Sequence, residues 1–244
     1  MQYYCNCAIY CFQIFLNYNF FHNLENMGIN MSYVEKIDLN NLINFSKTNS
    51  YLAIVERETP RLSDSFFEKL IIEPLNISGQ IFKNNSLKSI KHILNKNISD
   101  NYKKHGFYNH WVKDMSNICN IFCNVINSDS ISFSLGSSRG CKRYHIDNVP
   151  MRLLVTYYGD GTEWLPPNAA NYDAYYNGKK NENIIKIVKE KKFINTWDVA
   201  IFSGGEKGIL HRTPDSALNS PTLQMRLDYS SFLNDVEKYN NINF

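Results

Sequence analysis

The sequence has little excess of either charge and lacks a long apolar run. It contains 26 lysines and arginines against 23 aspartates and glutamates, a net charge of +3 in 244 residues. A basic surplus this small, scattered along the chain, argues against a nucleic-acid partner. The apolar segment at residues 8–16 is too short to span a bilayer, and it lacks the preceding basic residue that a signal peptide has. We therefore expect no nucleic-acid partner and no stable membrane insertion.

Cysteine is also scarce, and its spacing excludes two common uses. None of the six cysteines forms the C-x-x-C pair of a zinc ribbon or a redox motif. So few thiols in a chain of this length do not indicate a disulfide framework, so we expect reduced thiols and a cytoplasmic protein.

The length fits one domain with an extension. Residues 1–30 have an odd composition and are interpreted as a leader of uncertain status. They could be a disordered leader, a membrane-touching segment, or sequence translated from a wrongly chosen start, which we favour because Met27 and Met31 offer later starts. Residues 31–244 then form a single domain.

Helical patterns dominate the first part of this domain, over about residues 35–127, and short strands dominate about residues 130–230. This order predicts an α+β protein, in which a double-stranded β-helix, or jelly roll, carries the N-terminal helices on the outer face of its major sheet. The expected helices are 38–45, 63–75, 86–94 and 100–126, and the expected strands are 51–56, 131–135, 144–147, 152–158, 162–165, 184–189, 197–202, 208–211 and 222–229.

One short motif suggests a metal site. In an extended strand, side chains two residues apart point the same way, so His145 and Asp147 would present an imidazole and a carboxylate together. His211 follows 64 residues later on another expected strand. Two histidines and one carboxylate form the facial triad of non-haem Fe(II) oxygenases. A chance His-x-Asp, and a strand-end histidine bonded to backbone, are the structural alternatives.

Three further residues are candidates for binding an anionic co-substrate. Arg226 lies on the last expected strand, and a guanidinium suits the far carboxylate of 2-oxoglutarate because it can bind it through two hydrogen bonds. A surface salt bridge is the alternative for Arg226, since its face neighbours are polar. Arg152 lies among apolar residues, where an idle charge is costly, and Tyr157 could donate a hydrogen bond to the same anion, with Arg212 and Tyr158 as the respective alternatives. The polar stretch over residues 168–183 is a candidate substrate cover.

The order of these motifs resembles the Fe(II)/2-oxoglutarate dioxygenase superfamily, and most closely its prolyl-hydroxylase-like branch. The resemblance covers about residues 130–230 and implies His145, Asp147 and His211 as iron ligands and Arg226 as co-substrate anchor. The sequence departs from many relatives after Gly161, where Glu163 and Trp164 replace another glycine and an apolar residue.

A narrower resemblance covers most of the chain past residue 35. The segments Cys141-x-Arg-Tyr-His-x-Asp, Arg-Leu-Leu-Val-Thr-Tyr, Gly-Thr-Glu-Trp-Leu, Asp-Val-Ala-Ile and His-Arg-Thr-Pro are similar to a bacterial family of unknown function catalogued as 1826. That family has no assigned reaction, and its members often lie near zinc-handling genes, which implies a role in metal homeostasis as an alternative.

The leading hypothesis is an Fe(II)/2-oxoglutarate-dependent oxygenase that hydroxylates an unidentified small-molecule or protein substrate. The first alternative is a non-catalytic jelly-roll protein of metal homeostasis that binds zinc instead. The second is a jelly roll with a decayed site that binds a partner.

Overall fold

A computed structural model describes residues 34–232, which form an α+β domain; the expected leader over residues 1–30 lies outside them. The expected helices are present with changed limits, because the pattern at 63–75 ends at Leu70 and the pattern at 100–126 is divided in two. The α-helices are α1 (Ser63–Leu70), α2 (Ser86–Asn97), α3 (Asp100–Lys103), α4 (Tyr108–Val125), α5 (Tyr172–Tyr176), α6 (Asn181–Ile184) and α7 (Asp215–Asn219). A 3-10 helix occupies Asn41–Lys47.

Ten strands are present in the described part of the chain. The strand expected over 184–189 is wrong, because Ile184 ends α6 and Val188–Glu190 is a 3-10 helix. Three strands were not expected, at Val34–Lys36, Asn76–Phe82 and Lys192–Phe193, and the strand expected over 144–147 is reduced to an isolated bridge at His145. The strands are β1 (Val34–Lys36), β2 (Leu52–Val55), β3 (Asn76–Phe82), β4 (Ser130–Gly136), β5 (Met151–Tyr158), β6 (Glu163–Trp164), β7 (Lys192–Phe193), β8 (Val199–Ser203), β9 (His211–Arg212) and β10 (Leu223–Tyr229).

The strands form two sheets. The larger has the order β1-β2-β8-β5-β10-β4-β3 and is antiparallel except for the β1–β2 pair. The smaller has the order β7-β6-β9, and an isolated bridge between His145 and His211 adds one more segment beside β9. From β4 onward the chain passes back and forth between the sheets, which places the site between them.

The larger sheet has one face that packs on the helices and an opposite face that packs against the smaller sheet, because side chains alternate along each strand. The first face shares one buried cluster with the stripe of α4 that includes Trp111, Met115 and Phe122. The opposite face of β5 and β10 carries the polar and charged groups. The apolar set includes Leu153, Val155, Tyr157, Met225 and Leu227, and the opposite set includes Arg152, Thr156, Gln224, Arg226 and Asp228.

The polar stretch over residues 168–183 packs against the smaller sheet. Ala170, Ala174 and Ile184 share a buried cluster with Tyr144 and Leu210. Tyr144 and Leu210 directly precede His145 and His211 in the sequence, so their side chains point to the face of the smaller sheet opposite the two histidines. The stretch expected as a substrate cover therefore supports the smaller sheet from outside. Every helix among the described residues is too short or too polar to cross a membrane.

Candidate metal centre

The side chains of His145, Asp147 and His211 meet in a buried cluster, with their ligand atoms all within 4.8 Å of one another. His145 Nε2 lies 3.8 Å from Asp147 Oδ1, and His211 Nε2 lies 3.4 Å from Asp147 Oδ2. The imidazole centroids are 4.4 Å apart. The three groups predicted from the motif are therefore close enough to hold one ion.

The backbone explains why the two histidines meet. The amide of His145 donates to the carbonyl of His211 at 3.0 Å, and the amide of His211 donates back at 3.0 Å. Residues directly opposite each other in an antiparallel pair place their side chains on the same face. Two segments far apart in sequence thus present two imidazoles side by side.

A glycine turn supports the segment that carries Asp147. The Gly205 amide donates to the Asp147 carbonyl at 2.9 Å. A Cβ at Gly204 would lie 1.9 Å from the Val149 carbonyl oxygen and 2.5 Å from that of Asp147. Only glycine permits this close approach of the two backbones. The carboxylate therefore depends on a turn next to β8.

The second nitrogen of each ring fixes its tautomer. Nδ1 of His145 lies 3.0 Å from the Arg143 carbonyl oxygen, and Nδ1 of His211 lies 3.0 Å from the Ile209 carbonyl oxygen. A carbonyl oxygen only accepts, so each Nδ1 carries the proton. Each Nε2 then directs a free electron pair towards Asp147, as in metal-binding histidines oriented by the backbone.

The charge states also suit a cation. Burial, with the nearby His211, lowers the pKa of His145 to about 4, so its ring is neutral at neutral pH. Burial alone would raise the pKa of Asp147, but the charge of Arg152 holds it well below its usual range. Neutral imidazole and ionised carboxylate are the forms that bind metal ions.

One oxygen of Asp147 is left without a hydrogen bond. Arg152 Nη1 donates to Oδ1, whereas Oδ2 is buried and has no hydrogen-bond partner among the described residues. A buried carboxylate oxygen without a partner is costly, and a bound cation would satisfy it. Two nitrogens and this oxygen fit a divalent first-row metal ion such as iron or zinc.

The ligand carboxylate belongs to a row of alternating charges. Arg152 Nε donates to Asp228 Oδ1 at 2.8 Å, and Asp228 Oδ2 lies 2.9 Å from Arg226 Nε. The second contact is an ion pair rather than an aligned hydrogen bond. The ring of Phe232 lies against both guanidinium groups, 5.2 Å from Arg152 and 4.9 Å from Arg226. We call Asp147, Arg152, Asp228 and Arg226 the charge row.

The structure brings Arg152 and Arg226 to the cluster but places Tyr157 elsewhere. Tyr157 is five residues from Arg152 and faces the helices, where its hydroxyl donates to Asp114 Oδ2 at 2.9 Å. Asp114 in turn pairs with Arg57 at 2.6 Å. Strand alternation therefore puts Tyr157 on the face of β5 opposite the metal centre.

Glu163 has a role that the sequence did not indicate. It accepts hydrogen bonds from both Arg212 Nε and Nη2 at 3.1 Å and from the hydroxyl of Tyr144. These donors adjoin His211 and His145 in sequence. Burial and Glu163 raise the pKa of Tyr144, which stays protonated and can donate. The carboxylate links the two histidine-bearing segments from the outer side of the smaller sheet.

Comparisons with known proteins give distant structural similarities and one family match. No curated protein matches the sequence. A rice dioxygenase for auxin oxidation matches with 10% identity over 81% of this chain and 83% of that one, at a TM-score of 0.42. A bsmA homolog from Methylobium petroleophilum matches with 8% identity over 80% of this chain and 93% of that one, at a TM-score of 0.39. The Fe(II)/(alpha)ketoglutarate-dependent dioxygenase TqaL matches with 10% identity over 78% of this chain and 86% of that one, at a TM-score of 0.38.

The family match covers residues 37–228, from the first helical segment to the end of the charge row. It includes every residue of the metal centre described above. The chain therefore belongs to the family described as Protein of unknown function (DUF1826).

Proposed function

We propose that the protein is an Fe(II)/2-oxoglutarate-dependent oxygenase. The observation that carries the proposal is the buried convergence of the His145 and His211 imidazoles with the Asp147 carboxylate, whose Oδ2 has no hydrogen bond among the described residues. Two neutral imidazoles and one carboxylate on one face of a metal form the donor set of non-haem Fe(II) oxygenases, and they leave other positions open. A ferrous ion in such a site supplies oxygen chemistry that amino-acid side chains lack.

We infer that the two sheets form a double-stranded β-helix. Eight consecutive segments pass between the larger sheet and the smaller one, in the order β4, the His145 bridge, β5, β6, β7, β8, β9 and β10, with β6 and β7 forming a pair within the smaller sheet. The order β4-β10-β5-β8 in one sheet and His145-β9-β6-β7 in the other is that of a jelly roll rolled around a central site. The polar face of β5 and β10 then lines its interior.

The charge row supports a dianionic co-substrate. Its two arginines balance its two aspartates, and the histidines are neutral donors, so a divalent ion would leave two uncompensated positive charges. The dianion 2-oxoglutarate matches that charge. Arg226 is the natural anchor for its far carboxylate, because it has the most exposed guanidinium of the row and can form two parallel hydrogen bonds.

The chain's own groups have separate tasks in this proposal. Arg152 holds Asp147 Oδ1 and so turns Oδ2 towards the metal. The ring of Phe202 lies 4.5 Å from that of His211, and it belongs to an apolar cluster with Leu154 and Trp164. This apolar wall limits water beside the reacting groups, which strengthens the electrostatic interactions there.

The expected reaction converts 2-oxoglutarate, dioxygen and a substrate C–H bond into succinate, carbon dioxide and a hydroxylated product. The test is anaerobic loading with Fe(II), followed by 2-oxoglutarate and oxygen and measurement of succinate. We expect succinate from the parent protein and from His92→Ala, which changes an exposed helical histidine. The His211→Ala variant should form none, whereas equal succinate from all three proteins would refute the proposal.

Non-catalytic zinc binding is the second candidate, because two histidines and an aspartate also suit tetrahedral Zn²⁺. Metal analysis of protein purified without added metal separates the two functions when it is combined with the succinate assay. Zinc in the purified protein, with no succinate after iron loading, would favour a role in metal homeostasis. Absence of any bound metal would favour a partner-binding protein.

A further inference from the structure

We propose that Asp228 sets how tightly the site holds a dicarboxylate, because it competes with the ligand's carboxylate for Arg226 and so weakens binding. The competition weakens retention of a dicarboxylate product as well as binding of the co-substrate. The identity of the two ligands as succinate and 2-oxoglutarate rests on the proposed function. The competition itself rests on the contacts of Asp228.

The two oxygens of Asp228 contact different arginines. Oδ1 accepts from Arg152 Nε at 2.8 Å, and Oδ2 lies 2.9 Å from Arg226 Nε. Arg152 also contacts Asp147, whereas Asp228 is the one carboxylate that pairs with Arg226 among residues 34–232. Arg226 is thus the end of the row, and its charge is compensated by Asp228 alone.

Exposure identifies the group that an incoming anion meets. The side chain of Arg226 is 36% exposed, against 13% for Arg152 and 2% for Asp228. A carboxylate can therefore reach Arg226 while Asp228 stays buried beside it. The bound ligand and Asp228 would share one guanidinium, with like charges close together.

The contact between Asp228 and Arg226 reduces the affinity for a bound dicarboxylate and thereby favours release of the product. Decarboxylation of 2-oxoglutarate leaves the far carboxylate unchanged in succinate, so the same arginine binds both molecules. An anchor without a competing carboxylate would hold both molecules more firmly and would release the product more slowly. Asp228 gives Arg226 an alternative ionic partner when the ligand leaves, so the charge of the guanidinium is not left uncompensated.

The test uses Asp228→Asn, which removes the charge and keeps an oxygen that can accept from Arg152. The probe is glutarate, a dicarboxylate without the keto group, titrated calorimetrically into metal-free protein. We expect the Kd for glutarate to fall about tenfold, the scale of one charge-assisted hydrogen bond. The matched control Asp173→Asn removes a charge at an exposed position away from the row and should leave the Kd unchanged.

A second comparison assigns the effect to Arg226. In the double variant Arg226→Gln/Asp228→Asn, the gain in glutarate affinity should disappear. If Asp228→Asn does not fold, as judged by circular dichroism, Asp228→Ser carries the same prediction with a smaller side chain. An unchanged or raised Kd in the folded variant, or no detectable binding by either protein, overturns the role of Asp228.

The outcomes also separate this inference from the proposed function. Succinate formation by the parent protein, without tighter glutarate binding by Asp228→Asn, would refute the competition and leave the oxygenase intact. Tighter glutarate binding by the variant, in a protein that forms no succinate, would support the competition and refute the oxygenase.

Discussion

Arg152 contacts the carboxylate of Asp147 through Oδ1 alone, and the other oxygen, Oδ2, lies 3.4 Å from His211 Nε2. Loss of this arginine would free the carboxylate to rotate. We predict that Arg152→Gln lowers divalent-metal affinity about 10- to 100-fold, the effect typical of groups that orient metal ligands. Competition with a chromogenic chelator measures the change. Arg61→Gln, at an exposed position, is the control, and equal losses in both variants would contradict the role of Arg152.

Tyr157 should contribute to the stability of the fold and not to the binding of metal or 2-oxoglutarate. The Tyr157→Phe variant removes the hydroxyl that donates to Asp114 in the helix-facing core. We expect the free energy of unfolding to fall by about 1–2 kcal/mol in urea denaturation, the effect of one buried hydrogen bond. Metal affinity and 2-oxoglutarate affinity should not change. A selective loss of 2-oxoglutarate binding would instead support the co-substrate role that the sequence suggested.

Glu163 should couple stability to metal binding. The Glu163→Gln variant weakens the bonds to Arg212 and Tyr144, which adjoin the two histidine ligands. Arg212 keeps Asp215 as a partner at 2.9 Å, so we expect a loss of about 1–3 kcal/mol in unfolding free energy. Metal affinity should fall as well, because the histidine-bearing segments are held less firmly. Unchanged affinity for the metal would show that the network only stabilises the fold.

Gly204 should tolerate no side chain. In Gly204→Ala the new Cβ would overlap the carbonyl oxygen of Val149, so the segment after Asp147 must move. We expect a destabilisation of about 1–3 kcal/mol and weaker metal binding. Gly106→Ala is the matched control, since no atom lies within 4 Å of a Cβ there. Thermal unfolding and metal titration of both variants provide the comparison. Equal stability and equal metal affinity in the two variants would show that the segment after Asp147 does not require glycine at position 204.

The metal centre could be predicted because it depends on strand alternation. The two-residue spacing of His145 and Asp147 predicts a shared face, and the two side chains do meet, although only His145 forms a bridge and Asp147 follows it outside any strand. The same rule aligns Arg226 with Asp228 on β10. The odd spacing between Arg152 and Tyr157 already excludes a shared face on a regular strand. The pattern alone could not reveal which arginine each aspartate contacts, since that depends on neighbouring strands.

Two elements show where sequence patterns fail. The strand β3 contains Asn76 and Gly79, which are unfavourable in strands, but it lies at the sheet edge with α2 packed closely on it. A Cβ at Gly79 would lie 2.6 Å from Ile93, so the glycine permits that packing. The apolar run at 184–189 looks like a strand, yet Ile184 is buried against the smaller sheet from a helix end. Tertiary contacts decide both cases.

The most direct test of the metal centre is anaerobic titration of Fe(II) into the metal-free protein and into His145→Ala, Asp147→Ala and His211→Ala. We expect one ion bound per parent chain and a large loss of affinity in each of the three variants. If the variants bound iron as tightly as the parent, the three side chains would not form the metal centre.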